Sequence, residues 1–350
     1  MGKKVTIQDI ADALGISRNT VSKAINNSEG LADGTREKIL QKAVEMGYKQ
    51  FSYVASLSRS VENSFGTESL NGSYSGEIAL LSTSYLPSSH FASLFLDKFH
   101  REIMTIGFSP VMHIISADNL KNRTLPMSFR MENTRAILCV ELFDQGYSEM
   151  IAGLGLPTLF VDGPANIEGF PLNTDLLLMD NTTEITRFVN EMIRRGKKRI
   201  GFIGDYTHCR SFYERYSAFR LAMLMNNVPA EDKFLICMND RDKNAMSDQL
   251  LSLDEMPDIF ICANDFVAID AMQALAERDG KPPENVGFLG FDDSHESRIF
   301  SPALSTVHIH TQIMAFSALH LLISRINEPT MDFRIIYSAT DLVLRASTEF

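Results

Sequence analysis

The sequence lacks the residue patterns that mark disulfide-bonded, zinc-binding and membrane proteins. Its four cysteines are far apart, with no Cys-x-x-Cys pair and no nearby pair of histidines: they are Cys139, Cys209, Cys237 and Cys262. This spacing favours reduced thiols in a cytosolic protein over a disulfide framework or a zinc site. The N-terminus has no signal-peptide-like apolar stretch, and no run of about eighteen apolar residues occurs. We therefore expect a soluble, cytoplasmic protein without a metal or a membrane partner.

Nucleotide-binding loops are also absent. No Gly-x-Gly-x-x-Gly follows the first predicted strand, so nothing supports a dinucleotide site. No Gly-Lys-Ser loop is present to cradle a phosphate. We expect no cofactor.

Acidic residues outnumber basic ones, and the formal net charge is −11 at pH 7. A chain with this charge does not wrap DNA non-specifically. The first 60 residues are the exception, because they hold nine Lys or Arg against six Asp or Glu, whereas the remainder carries a net charge of −14. A weakly basic N-terminal segment on an acidic body is compatible with local DNA contact.

Two short amphipathic helices, joined by a glycine turn, are predicted at the start of the chain. Thr6 and Asp9 have the spacing of a capping box, which marks a helix N-terminus. Gly15 can adopt the left-handed conformation that ends a helix, and Ser17 is a candidate N-cap for the next one. Apolar stripes follow at helical spacing, formed by Ile7, Ile10, Ala11 and Leu14 and then by Val21, Ala24 and Ile25. This pattern is typical of a helix-turn-helix.

The polar face of the second predicted helix has the chemistry of a DNA-reading surface. Its residues all form hydrogen bonds and none is acidic: they are Ser17, Arg18, Asn19, Thr20, Ser22, Lys23 and Asn26. Arg18 and Asn19 lie in the first turn, the part of a recognition helix that reaches base edges. Arginine can bind guanine, and asparagine adenine, through two hydrogen bonds each. A solvated helix face is the alternative interpretation.

This segment resembles the headpiece of the lactose/galactose repressor (LacI/GalR) family. The similarity is carried by Gln8-Asp-Ile-Ala11, Gly15-Ile-Ser17, Thr20-Val-Ser-Lys23, Thr35-Arg-Glu-Lys-Ile39 and Gly47-Tyr48. It implies base contacts by Arg18, Asn19 and Lys23. It also implies that other headpiece residues contact DNA, chiefly its phosphates: Thr6, Ser17, Thr20, Ser22 and Asn26.

The resemblance further implies a hinge helix after residue 49 that inserts Leu57 into the minor groove as an apolar wedge. Such a wedge unstacks a base step and kinks the duplex. Gln50-Phe51 and Val54-Ala55 depart from the family pattern here. The alternative is therefore that Phe51, Tyr53 and Leu57 pack against the body.

From residue 77 onwards, short apolar runs alternate with amphipathic stretches. The runs read as buried strands, at residues 78–81, 111–115, 136–140, 158–161, 176–179, 199–203, 259–262 and 286–290. The stretches between them read as helices, around residues 91–106, 147–154, 182–195, 214–227 and 266–278. This alternation is typical of doubly wound parallel sheets. Because the units are too many for one sheet, we predict two α/β subdomains with a cleft between them. Asn264 follows the run 259–262 and Asp292 follows the run 286–290. Ligands bind outside the carboxyl ends of such strands, so these side chains are candidates for a binding site.

The body resembles the same family and its periplasmic-binding-protein-like (type I) core. The similarity is carried by residues 196–204, 214–219, 257–265, 286–307 and 342–347. It implies that a small effector of the carbohydrate class binds between the lobes against His90, Phe91, Asp162, Arg215, Asn264 and Asp292. The residues alone leave alternatives open: capping for Asn264 and Asp292, a surface ion pair for Arg215, and core packing for Phe91.

The sequence thus predicts an all-α helix-turn-helix headpiece with hinge (1–60), a linker (61–76) and an effector-binding and dimerisation body (77–350). We expect a homodimeric or larger repressor that binds a near-palindromic operator in double-stranded DNA and controls carbohydrate-utilisation genes. A purine or a phosphorylated effector protein is the alternative to a sugar-like effector. The rival classes are a solute-binding protein, disfavoured by the headpiece and the missing signal peptide, and a hydrolase that uses the carboxylates of the cleft.

Overall fold

The computed structural model describes residues 5–25, part of 31–46, 75–83, 90–165, 167, 169, 171–237, 243–281 and 285–349. The predictions for Asn26, for the hinge with Leu57 and for most of the 61–76 linker lie outside these residues. No helix within the described ranges is long and apolar enough to cross a membrane.

The headpiece begins with the two predicted helices, α1 (Ile7–Leu14) and α2 (Arg18–Ile25). The capping box is present: the Thr6 amide donates to Asp9 Oδ2 at 2.8 Å, and the Asp9 amide donates to Thr6 Oγ1 at 3.3 Å. Gly15 ends α1 with a φ of 66°, in the left-handed region that favours glycine. A small apolar core joins the helices, made of Ile10, Ala11, Val21, Ala24, Ile39 and Ala43. The predicted helix-turn-helix is confirmed.

The first lobe is built on a six-stranded parallel sheet. Its strands are β1 (Glu77–Ser82), β2 (Ser109–Ile114), β3 (Thr134–Val140), β4 (Thr158–Val161), β5 (Asp175–Met179) and β11 (Ile335–Ser338). Their order is β11-β5-β4-β3-β1-β2. The strand that comes last in the sequence, β11, therefore lies at an edge of this sheet, beside β5. The helices of this lobe are α3 (His90–Thr105), α4 (Ala117–Asn122), α5 (Gln145–Ala152) and α11 (Thr311–Asn327).

The second lobe is a four-stranded parallel sheet in the order β7-β6-β8-β9. Its strands are β6 (Ile200–Ile203), β7 (Leu235–Ile236), β8 (Ile259–Cys262) and β9 (Gly287–Leu289). The associated helices are α6 (Thr183–Arg194), α7 (Arg210–Met225), α8 (Lys243–Leu251), α9 (Asp265–Asp279) and α10 (His295–Ile299). The two predicted doubly wound parallel-sheet subdomains are confirmed.

The chain passes between the lobes three times. Residues 180–182 lead from β5 to α6, β10 (Thr306–Ile309) leads to α11, and β12 (Thr340–Val343) follows β11. β10 and β12 pair as an antiparallel ribbon, and the backbone amide of Asp180 donates to the carbonyl of Ser338 at 2.7 Å. The three crossovers therefore lie side by side.

One apolar cluster extends across both lobes. It contains Ile78 and Leu138 from the first sheet, Phe202 and Ile261 from the second, and buried side chains of α3, α6, α7 and α11. Two smaller clusters cover the other faces of the sheets. The inner strands of each sheet are therefore buried on both faces, which explains why they read as continuous apolar runs.

Several elements were not predicted from the sequence: the helices α4, α8, α10 and α11 and the strands β7, β10, β11 and β12. The helix after β6 was predicted to begin at Glu214, whereas α7 begins at Arg210. The strands β11 and β12 were missed because their apolar runs, 335–337 and 342–344, are only three residues long. Their side chains are largely exposed or half-buried.

Candidate functional site

The recognition helix α2 begins at an N-cap formed by Ser17. Ser17 Oγ accepts the Thr20 amide at 3.0 Å and lies 2.7 Å from Thr20 Oγ1. Val21 and Ala24 face the headpiece core, and this orientation leaves Arg18, Asn19 and Lys23 exposed. The three predicted base-reading side chains therefore lie on one solvent-facing surface without an acidic neighbour on α2. Their contacts with DNA remain predictions, as do those of Thr6, Ser17, Thr20 and Ser22.

The interlobe cleft lies where strands of both sheets end. Glu141 follows β3, Asp162 follows β4 and Asp292 follows β9, and all three have positive φ angles, of 53°, 59° and 116°. Such backbone conformations are uncommon for residues other than glycine and persist only where the surrounding structure enforces them. Three carboxylates are thus held at the strand ends that form ligand sites in α/β proteins.

Arg215 is the cation of this cleft. It lies in the second turn of α7 and not at its start, and it is only 2% exposed, which excludes the surface ion pair. Nη1 donates to the Ala263 carbonyl at 2.6 Å, and Nε donates to Asn181 Oδ1 at 2.9 Å. The guanidinium carbon lies 3.5 Å from the centroid of the Phe291 ring, a cation–π contact. Burial lowers the pKa of Arg215, and the nearby Asp292 opposes that effect.

Asp292 carries the carboxylate that is available to a ligand. Its side chain is half-buried and accepts no hydrogen bond from any described residue. Burial raises the pKa of Asp292 well above its usual value; Arg215 opposes this, and Asp265, Glu141 and Asp162 add to it. A polar group this desolvated is costly unless it is paired. It therefore suits a ligand that donates hydrogen bonds.

Asp162 lies beside this group but already has partners. Its Oδ1 accepts the Gly163 amide at 2.8 Å and, across the cleft, the Ser211 amide in the first turn of α7 at 3.3 Å. The first-lobe carboxylate thus caps a second-lobe helix. Burial raises the pKa of Asp162, and these hydrogen bonds and Arg215 oppose the rise.

Asn264 is the N-cap of α9, with Oδ1 accepting the Val267 amide at 2.9 Å. This is the capping role considered from the sequence, so an effector contact by Asn264 remains a prediction. The neighbouring Asp265 is fully buried and accepts Thr306 Oγ1 at 2.5 Å and the Ser294 amide at 2.7 Å. Burial raises the pKa of Asp265 to about 6. The sequence analysis quoted Asp265 in a motif but gave it no role.

The two predicted residues at the start of α3 are placed differently. Phe91 is 5% exposed and belongs to the cluster shared by the lobes, with its ring 5.7 Å from that of Phe95. In this structure Phe91 is therefore a core residue, as the alternative interpretation of the sequence proposed. The backbone of His90 begins α3, and its side chain lies outside the described part of the structure. Effector contacts by His90 and Phe91 stay predictions.

An aromatic contact between the lobes was missed by the sequence analysis. Phe143 follows β3 in the first lobe, and its ring centroid lies 4.9 Å from that of His208, in the second-lobe loop after β6. His208 in turn lies 5.4 Å from Phe212 on α7. The position of Phe143 three residues after a predicted strand was the available signal.

No metal site is formed within the described ranges, since no group of three or more His, Cys, Asp or Glu side chains there could hold an ion.

Comparisons with known proteins agree with both halves of this architecture. Residues 6–50 match the family model for bacterial regulatory proteins of the lacI family, and residues 189–348 match that for a periplasmic binding protein-like domain. The HTH-type transcriptional repressor PurR of Mannheimia succiniciproducens is 26% identical over 350 residues, which cover 98% of both chains. The protein of the same name from Haemophilus influenzae is 24% identical over 351 residues, again covering 98% of both.

Solved structures share the fold over nearly the full length. A transcriptional regulator CelR–cellobiose complex has a TM-score of 0.65 at 19% identity, covering 98% of this chain and 100% of that one. The Lac repressor dimer bound to operator and the anti-inducer ONPF has a TM-score of 0.63 at 17% identity, covering 99% of each. These relatives are transcription regulators and not enzymes, as expected from the sequence. The chain thus carries a headpiece of the lacI family of bacterial regulatory proteins at residues 6–50 and a periplasmic binding protein-like domain at residues 189–348.

Proposed function

We propose that the protein is a homodimeric repressor that binds a near-palindromic operator and is switched by a small, uncharged, hydroxyl-rich effector in the interlobe cleft. The genes it controls are those for using that carbohydrate. The observation that carries the effector assignment is the Asp292 carboxylate, which lies beside Arg215 and accepts no hydrogen bond from any described residue. The exposed, non-acidic face of α2 supports the DNA assignment.

The chemistry of the cleft favours a neutral polyol. Adjacent sugar hydroxyls can donate to the Asp292 carboxylate and accept from the Arg215 guanidinium, and both bonds are charge-assisted. The carboxylates of Asp292, Asp162 and Glu214 all act on the Arg215 guanidinium. Its Nε and Nη1 are already bound within the protein. A phosphate or carboxylate on the ligand would be repelled by these three carboxylates. Cellobiose, named with the CelR structure, is an example of a neutral ligand of this kind.

A purine base is the second candidate, supported by the relatives that carry the name PurR. A purine also presents ring N–H donors and ring-nitrogen acceptors at adjacent positions. It is uncharged, so the three carboxylates do not exclude it.

The lobes offer a route from ligand to DNA. Asp162 of the first lobe accepts from Ser211 of α7, and the Arg210 amide donates to the Gly163 carbonyl at 2.9 Å. A ligand that bridges these surfaces favours one relative position of the lobes. It shifts the equilibrium only by its difference in affinity between the two positions.

The test uses the full-length protein, with thermal shifts measured against neutral mono- and disaccharides, sugar phosphates and free purine bases. We expect a neutral sugar to raise the melting temperature and to change affinity for a duplex selected from a random pool. Asp292→Asn should weaken binding of that sugar by about 10- to 100-fold, because a charged hydrogen-bond acceptor is lost. The same substitution should raise the melting temperature without ligand, because it removes a carboxylate whose desolvation outweighs its attraction to Arg215.

The matched control is Asp118→Asn, an exposed aspartate in the first turn of α4, which should leave both quantities unchanged. Stabilisation by sugar phosphates alone would contradict the proposed effector class. Stabilisation by purines alone would replace it with the second candidate. Failure to select any duplex would contradict the assignment to DNA.

A further inference from the structure

A polar contact joins the edge strand of the first lobe to helix α7 of the second. The hydroxyl of Tyr337, on β11, donates to Glu214 Oε1 at 2.9 Å. Arg210 Nε donates to the same oxygen at 2.8 Å, and Arg210 Nη2 donates to the Tyr337 hydroxyl at 3.2 Å. The Glu214 carboxylate is mostly shielded from solvent, with 13% of its side chain exposed. Oε1 of Glu214 therefore accepts one hydrogen bond from each lobe.

The other oxygen of Glu214 faces the interior. Oε2 accepts Asn181 Nδ2 at 2.9 Å, and Asn181 Oδ1 accepts Arg215 Nε at 2.9 Å. Asn181 is fully buried in the crossover between β5 and α6. A continuous chain of hydrogen bonds thus runs from Tyr337 on the outside to Arg215 in the cleft.

The direction of every bond in this chain is fixed. Asn181 must donate to Glu214 and accept from Arg215, because a flipped amide would place donor against donor at Arg215 and acceptor against acceptor at Glu214. In a buried site such a mismatch is expensive, and linked hydrogen bonds reinforce one another. Movement of β11 away from α7 removes one partner of Glu214. The carboxylate can then turn away from Asn181, which is the group that holds Arg215 Nε.

We propose that Asn181, Glu214 and Tyr337 form an interlobe relay that couples the orientation of Arg215 in the cleft to the position of the first-lobe edge strand. They are positioning residues, since none of them needs to touch a ligand. The backbone beside the relay links the same segments, because Thr340 Oγ1 donates to the Asp180 carbonyl at 2.9 Å. The coupling follows from the geometry alone, whereas its use in regulation rests on the proposed function.

The first experiment measures the hydrogen bond at the far end of the relay. In full-length protein labelled with ¹⁵N-arginine, the exchange of the Arg215 Nε–H with water is followed by NMR, and the signal is assigned by its absence in Arg215→Lys. Tyr337→Phe removes only a hydroxyl, on a half-exposed side chain. We expect this change to accelerate Arg215 Nε–H exchange by about fivefold or more, the range of a typical coupling between sites.

The matched control is Tyr213→Phe. Tyr213 lies on the same helix, and its hydroxyl has no hydrogen bond to any described residue. This variant should leave Arg215 Nε–H exchange unchanged. Glu214→Gln provides a second test. At least one of the groups that donate to the Glu214 carboxylate must then face the NH₂ group of the new amide, which cannot accept a hydrogen bond. This variant should accelerate Arg215 Nε–H exchange at least as much as Tyr337→Phe does. Exchange within twofold of wild type in both relay variants would overturn the relay.

A second experiment separates the relay from the proposed function. Affinity for the selected duplex is measured without effector for wild type, Tyr337→Phe and Tyr213→Phe. We expect Tyr337→Phe to change that affinity by about threefold or more, and Tyr213→Phe not to change it. If wild type binds no selected duplex, the proposed function fails while the NMR measurement still decides the relay. If wild type binds and Tyr337→Phe binds equally well, the relay has no regulatory use.

Discussion

The recognition helix and the interlobe cleft hold their polar groups in opposite ways. On α2 the three predicted base-reading side chains are exposed. The hydrogen bonds at the start of this helix join residues three positions apart, Ser17 and Thr20. In the cleft the bonds of Arg215 reach residues 34 and 48 positions away. The polar groups of α2 keep their hydration until DNA binds, whereas those of the cleft are desolvated when the protein folds. Substitutions on α2 should therefore change binding alone, and substitutions in the cleft should change stability as well.

The largest effect that tests this contrast is expected for Arg18→Ala. The exposed guanidinium is predicted to bind a base edge, and losing such a contact costs about 1–3 kcal/mol, or roughly 5- to 150-fold in affinity. Fluorescence anisotropy on the selected duplex measures this loss, and the melting temperature should stay within about 1 °C of wild type. Lys121→Ala, an exposed lysine on α4, is the control. Equal losses in both variants would show that Arg18 contributes only general charge.

The next effect is the pH dependence of stability that arises from Asp265. Burial raises the pKa of Asp265 to about 6, from 3.8. Between these values the folded state holds a proton that the unfolded state has lost, so the contribution of Asp265 to stability falls as the pH rises from about 4 to about 6, by roughly 2–3 kcal/mol in total. Asp265→Asn is neutral throughout this range. The melting temperature of the variant minus that of wild type should therefore increase across it, by several degrees.

The quantity to compare is the change with pH of the difference in melting temperature between variant and wild type. The substitution also removes a hydrogen-bond acceptor for Thr306 or Ser294, and this loss shifts the melting temperature by an amount that does not depend on pH. Asp279→Asn, at the exposed end of the same helix, is the control. Arg278 lowers the pKa of Asp279, so that variant should not reproduce the increase. A flat difference for Asp265→Asn would mean that Asp265 is not desolvated as described.

The smallest effect separates two roles of Ser17. Ser17→Ala removes the N-cap of α2 and should cost the headpiece about 1 kcal/mol, whereas Ser17→Gly should cost only a few tenths. Both variants lose the hydroxyl predicted to contact a phosphate. Thermal unfolding should therefore distinguish the two variants, and duplex affinity should fall in both. If Ser17→Gly bound the duplex as tightly as wild type, Ser17 would act only as the N-cap of α2, and its predicted phosphate contact would be wrong.

The local features of the headpiece could be predicted from the sequence. The capping box at Thr6, the left-handed Gly15 and the Ser17 cap depend on residues within a few positions of each other, so the pattern determines them. The buried strands were also predictable, because continuous apolar runs require a sheet covered on both faces. Their number led to two lobes.

The internal geometry of the cleft could not be derived in the same way. Arg215 was predicted to open a helix, but α7 starts one turn earlier and buries it. Its partners Asn181 and Ala263 belong to other segments, and no periodicity signals such contacts. Phe143 and His208 meet only because the lobes do. The role of such residues depends on contacts between distant segments. From the sequence alone, a ligand-binding residue could therefore not be distinguished from a helix cap, a surface ion pair or a core side chain.

The apolar cluster shared by the lobes limits how the body can be divided. A fragment that stops near residue 180 would lack β11, which comes from residues 335–338, and would leave half of that cluster without its other side. Neither lobe is therefore a module that evolution or an engineer could transplant alone. The practical unit for building chimaeric sensors is the whole body, with the exchange point placed ahead of β1.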